Sequence, residues 1–119
     1  MDTDYATAPK TGWQKRVDEL ILTNLSNFQL TNSSLAKELS ISERQLYRIV
    51  KECTGLSPNV YIRQIRLKTA YKFLQSGKYL TVKEVAAVVG FQKNDYFTRL
   101  FKSEFGLTPL EVLQNKGIK

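Results

Sequence analysis

The chain repeats itself, and this internal repeat limits the possible folds more than any other feature. The segment from Ala36 reads AKELSISERQLYRIVKECTGLSP, and the segment from Ala86 reads AAVVGFQKNDYFTRLFKSEFGLTP. Their first residues align at a spacing of 50, and after one inserted residue they align at a spacing of 51. A sequence repeat at a fixed spacing indicates that one supersecondary unit occurs twice. We therefore expect two similar units in a chain of 119 residues.

Each copy has the pattern of two short helices joined by a tight turn. An apolar helix containing Ala36 precedes a turn at Ser40, and an apolar helix containing Ala86 precedes a turn at Gly90. The helix after each turn carries aromatic and basic residues. This layout is typical of a helix-turn-helix, whose second helix can enter the major groove of DNA.

Capping signals predict where the helices begin and end. A Ser or Thr followed three residues later by Glu or Gln is a capping box, and glycine often follows the last residue of a helix. Apolar residues at helical spacing from Trp13 to Leu25 predict a first helix that ends near Ser26. The later helices are expected to start at Thr31, Ser42, Ser57-Pro58, Thr81, about Asn94 and Thr108, with stops at Gly55, Gly77 and Gly106.

The helix from Pro58 to the stop at Gly77 is the longest predicted element. Its 19 residues span roughly 28 Å at 1.5 Å per residue, and one turn of B-DNA is about 34 Å. A stiff connector of this length could set two recognition helices one turn apart. Five basic residues lie in this region: Arg63, Arg66, Lys68, Lys72 and Lys78. We interpret the first three as a solvated face or internal partners more readily than as DNA contacts.

The composition favours a polyanionic partner and argues against an enzyme. The formal net charge is +7 with a pI near 9.6, which suits nucleic acid. There is no histidine and one cysteine, Cys53, so the usual zinc ligand sets and His-based acid/base catalysis are excluded. The chain also lacks a glycine-rich phosphate loop, and we expect no cofactor. Because it has no apolar run of membrane-spanning length and no secretory signal, we expect a cytoplasmic location without membrane contact.

The two second helices carry the candidate binding residues. In the first unit the polar side of the helix carries Arg44, Tyr47, Arg48 and Lys51, and in the second it includes Thr98, Arg99 and Lys102. An arginine on such a face either donates two hydrogen bonds to guanine or is simply solvated. For Arg99 a salt bridge to Glu84 or Glu104 is a further alternative. The aromatic stripe in the second unit is interpreted as packing, with Phe97, Phe101 and Phe105 in the core and Tyr96 beside them.

At this point the residues resemble a known family. The pattern GF-x4-YF-x-R-x-FK-x2-FG-x-TP, from Gly90 to Pro109, resembles the signature of the AraC/XylS family of bacterial transcription regulators, and GLSPNVYIRQIRL, from Gly55 to Leu67, resembles its linker helix. The resemblance covers residues 13–113. It implies an all-α fold of seven helices, in which a long linker helix joins two homeodomain-like helix-turn-helix subdomains. It also implies recognition helices in adjacent major grooves.

The resemblance implies which residues contact DNA. In the first recognition helix these are Arg44, Tyr47 and Arg48, with Lys51 on the same face; in the second they are Asn94, Asp95, Thr98 and Arg99, with Lys102 placed to reach a phosphate. Two features depart from the family pattern. Val112-Leu113 stands where the family often has Tyr-Arg, and Lys93 precedes the second recognition helix where a better N-cap is common.

The predicted organisation is a disordered leader or linker at 1–10, a first helix-turn-helix subdomain at 11–56, a linker helix at 57–77 and a second subdomain at 78–115, with a frayed tail. We expect sequence-specific binding of double-stranded DNA as the output module of a larger regulator, including hybrid two-component sensors. RNA polymerase is a further candidate partner, and any homodimerisation would use other parts of the protein. The alternative is a helical adaptor that binds an acidic protein partner.

Overall fold

The structure is a computed structural model that describes residues 12–115, and all regular elements in that range are helices. The all-α fold of seven helices is confirmed for these residues. The predicted leader at 1–10 and all of the predicted tail at 115–119 except its first residue lie outside the described residues. In chain order the helices are α1 Gly12–Thr23, α2 Asn32–Glu38, α3 Glu43–Thr54, α4 Pro58–Ser76, α5 Val82–Val88, α6 Asn94–Phe105 and α7 Pro109–Gln114.

The described residues divide into two compact units. The first contains residues 12–24 and 29–63, and the second contains residues 25–28 and 64–115. The division falls inside α4, which has the predicted 19 residues and is therefore roughly 28 Å long. The predicted subdomain limits at 11–56, 57–77 and 78–115 remain predictions.

The first unit is built from α1, α2, α3 and the first part of α4. Helix α1 packs on α2 and α3, and α2 packs on α3. Burying these apolar side chains is the main stabilising term for so small a unit. The Tyr61 hydroxyl on α4 donates a hydrogen bond to the Asp18 carboxylate on α1. The core of this unit contains Val17, Ile21, Leu35, Ala36, Leu39, Leu46, Val50, Tyr61 and Ile62.

Helix α1 differs from the prediction at both ends. It ends at Thr23 rather than near Ser26. Just after this end, the Leu20 carbonyl accepts both from the Asn24 backbone amide at 3.1 Å and from the Asn24 side-chain amide at 2.8 Å, so this helix-terminal acceptor is satisfied. At its start Trp13 is 39% exposed while Gln14 is buried. The inward face is thus rotated relative to the apolar pattern, and the Arg16 guanidinium lies 5.4 Å from the centre of the Trp13 ring.

The second unit is built around α5, α6 and α7. All three pack against one another, and the second part of α4 contributes Leu67, Ala70 and Leu74 to the core. Val112 and Leu113 are buried, so where the family often has Tyr-Arg this chain has packing residues. The remaining core residues of this unit are Leu25, Val85, Ala86, Val89, Phe91, Phe97 and Phe101.

Capping boxes start the short helices as predicted. In each, the side chain of the N-cap residue accepts from the backbone amide three residues on, and the side chain of that later residue accepts from the N-cap backbone amide. A fourth capping box is formed by Thr31 and Ser34. The sequence predicted a helix start at Thr31 but not this box. The predicted boxes are Ser42–Gln45, Thr81–Glu84 and Thr108–Glu111. These local bonds set the point at which α3, α5 and α7 begin.

Candidate nucleic-acid interface

The exposed face of α3 is basic. Leu46 and Val50 are buried on the inner side of this helix. Arg44, Arg48 and Lys51 are exposed on the outer side, and Tyr47 is 49% exposed. Residues three and four apart on a helix are neighbours, so the structure brings these four predicted residues together on one surface.

The turn before α3 and the cap after it hold that surface in place. Ser40 adopts a left-handed conformation with φ of 60°. The Ser42 hydroxyl accepts from the Gln45 amide at 3.0 Å, and the Gln45 side chain accepts from the Ser42 amide at 3.0 Å. At the other end Gly55 is a left-handed cap whose N–H donates to the Lys51 carbonyl. Gln45 therefore serves the helix start and is not part of the basic face.

The exposed face of α6 is mixed in charge. Phe97 and Phe101 are fully buried on its inner side. The predicted contact residues on its outer side are Asn94, Asp95, Arg99 and Lys102, which are exposed, and Thr98, which is half-buried. All five thus belong to one side of the helix, with Thr98 at the margin. Within this surface one carboxylate lies among two basic side chains.

The start of α6 lacks the side-chain cap that is present at the starts of α2, α3, α5 and α7. Its N-cap residue, Lys93, makes no side-chain capping hydrogen bond. The first amides of α6 are therefore not occupied by a capping oxygen, and the helix dipole favours negative charge there. A surface depression of about 520 Å³ lies at this helix start, lined by Lys93, Asn94, Asp95, Tyr96 and Arg99.

Tyr96 was predicted to pack beside the core aromatic residues, and in the structure only one edge of its ring does so. Its ring is 42% exposed, and the Arg99 guanidinium lies 5.5 Å from the ring centre. The Tyr96 ring packs edge-on against the Phe91 ring, with the two ring centres 6.2 Å apart. A guanidinium over an aromatic face is attracted by the ring quadrupole, so Tyr96 holds Arg99 on the outer surface. The signal in the sequence was the spacing of three between the two residues, which places them side by side on a helix.

The carboxylates proposed as alternative partners of Arg99 have other contacts. Glu84 Oε1 accepts from the Thr81 amide at 3.1 Å as part of the α5 cap. Glu104 Oε1 accepts from the Gln64 side-chain amide at 3.0 Å. Arg99 therefore lies against Tyr96, with its donors on the outer face of α6.

The turn before α6 contains a close contact that sequence reasoning missed. Gly90 has φ of 94° and is buried. A Cβ on Gly90 would lie 2.8 Å from Arg66 Nε and would overlap the Leu25 carbonyl oxygen. Arg66 is only 9% exposed, and its Nη2 donates to the Asn27 carbonyl at 2.8 Å. Of the five basic residues noted in and after α4, Arg66 thus has an internal partner.

Burial also changes the acid–base behaviour of that guanidinium. Desolvation of the charged form lowers the pKa of Arg66 from its ordinary value. Arginine still remains protonated at any ordinary pH, so Arg66 acts through hydrogen bonding and packing. Of the two alternatives given for Arg66, a solvated side chain or an internal partner, the structure shows the internal partner, and Arg66 is a structural element of the second unit.

An apolar depression of about 480 Å³ lies on the second unit beside the α6 face. It shares Asn94 and Thr98 with that face, and its lining includes the exposed residues Leu80 and Leu110. The remaining lining residues are Thr81, Val82, Thr108, Pro109 and Leu113.

The described residues offer no metal site and no membrane span. Within residues 12–115, no group of three or more His, Cys, Asp or Glu side chains is arranged to hold a metal ion. No helix in the same range combines the length and the apolar character needed to cross a bilayer.

Two helix-turn-helix units, each exposing polar and basic residues on its second helix, define a DNA-binding class of protein. A family model described as a helix-turn-helix domain matches residues 35–115. The chain belongs to the AraC/XylS family of transcription-regulator DNA-binding domains. This family is a DNA-binding class, which supports the expectation that the segment is not an enzyme.

Three relatives illustrate the similarity. The chain is 30% identical over 102 residues to a protein named histidine kinase P4 from Formosa agariphila, covering 86% of this chain and 7% of the relative. It is 34% identical over 83 residues to the HTH-type transcriptional activator RhaS of Salmonella arizonae, covering 70% of this chain and 30% of the relative. The C-terminal domain of AraT, a response regulator from Geobacillus stearothermophilus, matches with a TM-score of 0.82 and 28% identity, covering 94% of this chain and 92% of that one. The chain thus spans less than a third of the length of these two curated relatives.

Proposed function

We propose that the chain binds double-stranded DNA in a sequence-specific manner and serves as the output module of a longer transcription regulator. The observation that carries the proposal is the exposed Arg–Lys pair at the same place on both second helices, Arg48 with Lys51 and Arg99 with Lys102. Each pair follows a helix-turn-helix turn and lies opposite a buried apolar face. Membership of the AraC/XylS family supports the same function.

The contact residues act by two kinds of chemistry. Arginine donors suit guanine O6 and N7, and Asn or Asp side chains suit adenine or cytosine amino groups. Lysines and the uncapped start of α6 suit phosphate oxygens, which position the protein without reading sequence. The proposed DNA-contacting set is Arg44, Tyr47, Arg48, Lys51, Asn94, Asp95, Thr98, Arg99 and Lys102.

The two recognition helices are proposed to enter successive major grooves. Support comes from the length of α4, roughly 28 Å, which is comparable with the 34 Å turn of B-DNA. A single duplex of about two turns would then be the minimal high-affinity site.

The longer protein and its surroundings are further proposals. The matched relatives include a histidine kinase and a transcriptional activator, and the match covers 7% of the first and 30% of the second. We therefore propose a sensory or receiver region elsewhere in the parent protein. A cytoplasmic location, contact with RNA polymerase, and dimerisation through other segments belong to the same proposal.

A selection from random duplexes tests the function directly. The 119-residue chain should retard DNA in a gel and enrich a motif with two half-sites about one turn apart. If six to ten phosphates are contacted, affinity should fall about 10³- to 10⁵-fold between 50 and 200 mM salt. Retardation without enrichment, or no retardation, would instead favour the helical adaptor that binds an acidic protein.

A further inference from the structure

The two recognition helices can be aligned residue by residue from the structure itself. Both have 12 residues and both end at a left-handed glycine, Gly55 for α3 and Gly106 for α6. Counting back from these glycines, the buried positions coincide: Leu46 matches Phe97 and Val50 matches Phe101. The two helices therefore present corresponding outer positions.

Two of the corresponding outer positions are chemically identical. Seven residues before the glycine stand Arg48 and Arg99, and four residues before it stand Lys51 and Lys102. All four side chains are exposed. The same donor groups thus project from the same place on each helix, so they suit the same groups on DNA.

Two other corresponding positions have opposite or unlike chemistry. Eleven residues before the glycine stand Arg44 and Asp95, which are both exposed. Arg44 only donates hydrogen bonds, whereas an ionised Asp95 only accepts them. Guanine offers acceptors in the major groove, and cytosine offers an amino donor. Eight residues before the glycine, Tyr47 corresponds to the smaller Thr98.

We propose that the DNA site consists of two related but unequal half-sites. They share a guanine, read by Arg48 in one and by Arg99 in the other. The half-sites differ at a base near this guanine: Arg44 selects guanine in one half-site, and Asp95 selects cytosine in the other. Lys51 and Lys102 bind phosphates in both and add no sequence preference. This inference rests on the proposed DNA-binding function and deepens it.

The experiment compares the unchanged chain with a variant in which the unlike positions are exchanged, R44D/Y47T/D95R/T98Y. Each protein selects from the same pool of random duplexes. The unchanged chain should enrich two half-sites with a common guanine, and the exchanged variant should enrich the two half-sites with their distinguishing base pairs interchanged. R48A and R99A should each lose affinity for the enriched duplex about 5- to 150-fold and relax only the shared guanine of one half-site.

A matched exchange controls for general disturbance. Glu52 and Ser103 also correspond, are both exposed and lie beyond the proposed contact residues. E52S/S103E should enrich the same motif as the unchanged chain. Thermal melts of all variants check that the helices remain folded, and a second exchange restricted to R44D/D95R replaces the larger variant if the latter melts early.

The outcomes separate this inference from the function on which it rests. Two half-sites without a common base pair, or an exchanged variant that enriches the unchanged motif, would overturn the inference and leave DNA binding intact. Failure of the unchanged chain to enrich any sequence would overturn the proposed function itself.

Discussion

The guanidinium of Arg66 occupies the space in which a side chain on Gly90 would have to stand, at the turn between the two helices of the second helix-turn-helix. A methyl group on Gly90 would come within 2.8 Å of Arg66 Nε and 2.9 Å of Arg66 Cζ, and it would overlap the Leu25 carbonyl. The same guanidinium donates to Asn27. Arg66 therefore joins the chain at 25–28 to the turn that leads into α6.

Replacing Gly90 by Ala should destabilise the protein by more than about 2 kcal/mol, because a left-handed backbone already costs roughly 1–2 kcal/mol for a residue with a side chain and the new methyl has no space. Urea unfolding followed by circular dichroism measures the change. Ser40→Gly at the corresponding turn is the control and should leave stability the same or slightly higher. Equal stability of G90A and the unchanged chain would contradict the contact.

Replacing Arg66 by Met should cost about 1.5–3 kcal/mol, the usual range for a hydrogen bond made by a charged group, because the Asn27 carbonyl loses its donor. Arg63→Met, on the same helix but only half-buried, provides the control and should change stability by less than about 1 kcal/mol. The same urea titrations compare the two. A larger loss for R63M than for R66M would show that charge along α4 matters more than the Arg66 contact.

Replacing Arg48 by Ala should weaken binding to the preferred duplex by about 1–3 kcal/mol and relax one base position. Fluorescence anisotropy with the preferred duplex and with duplexes altered one base pair at a time measures this. Lys15→Ala, which removes one exposed positive charge from α1, controls for net charge. An equal loss on every duplex would instead make Arg48 a phosphate contact.

Replacing Tyr96 by Leu should weaken DNA binding through Arg99. The ring that faces the guanidinium is lost, and a double-mutant cycle with Arg99→Ala should give a coupling of about 0.5–1 kcal/mol. Tyr96→Phe keeps the aromatic face and should restore the coupling. Strict additivity of Y96L and R99A would mean that the contact does not contribute to binding.

Acid should destabilise the protein in part through Glu111. The hydrogen bond from the Thr108 amide, with smaller help from the Thr108 hydroxyl and Lys102, lowers the pKa of Glu111 below its ordinary value of about 4.5. A carboxylate with a lowered folded-state pKa stabilises the fold above its ordinary pKa, and this stability is lost as pH falls through the folded-state value. Melting temperatures measured from pH 6 to 3 should fall less steeply for Glu111→Gln.

The control for that series is Glu19→Gln in α1, an exposed glutamate. It should keep the acid dependence of the unchanged protein. Parallel pH profiles for E111Q and the unchanged chain would show that the capping carboxylate does not contribute to acid sensitivity.

Helix starts were predictable because their determinants are local. The boxes at Ser42, Thr81 and Thr108 need only residues within one turn of the chain. The basic face of α3 followed from the same helical spacing, because Leu46 and Val50 define which side is buried. For α6, Phe97 and Phe101 did the same.

What could not be predicted depends on partners distant in sequence or on the rotation of a helix. Arg66 meets Asn27 across 39 positions, and nothing near Arg66 indicates that pairing. Trp13 is exposed beside a buried Gln14 because the position of α1 is decided by its neighbours in the first unit. Tyr96 belonged to an aromatic stripe, but its side chain lies at the edge of that stripe, where it serves Arg99 instead of the core.

The two turns of the repeat have different tolerance for change. At residue 40 a side chain is accepted in the left-handed conformation and faces solvent, whereas at residue 90 hydrogen alone fits. A mutational library that randomises both turns should therefore yield varied folded clones at the first and almost uniformly glycine at the second. The helices of the two copies would still show the internal repeat, while the turn at Gly90 would tolerate no other residue.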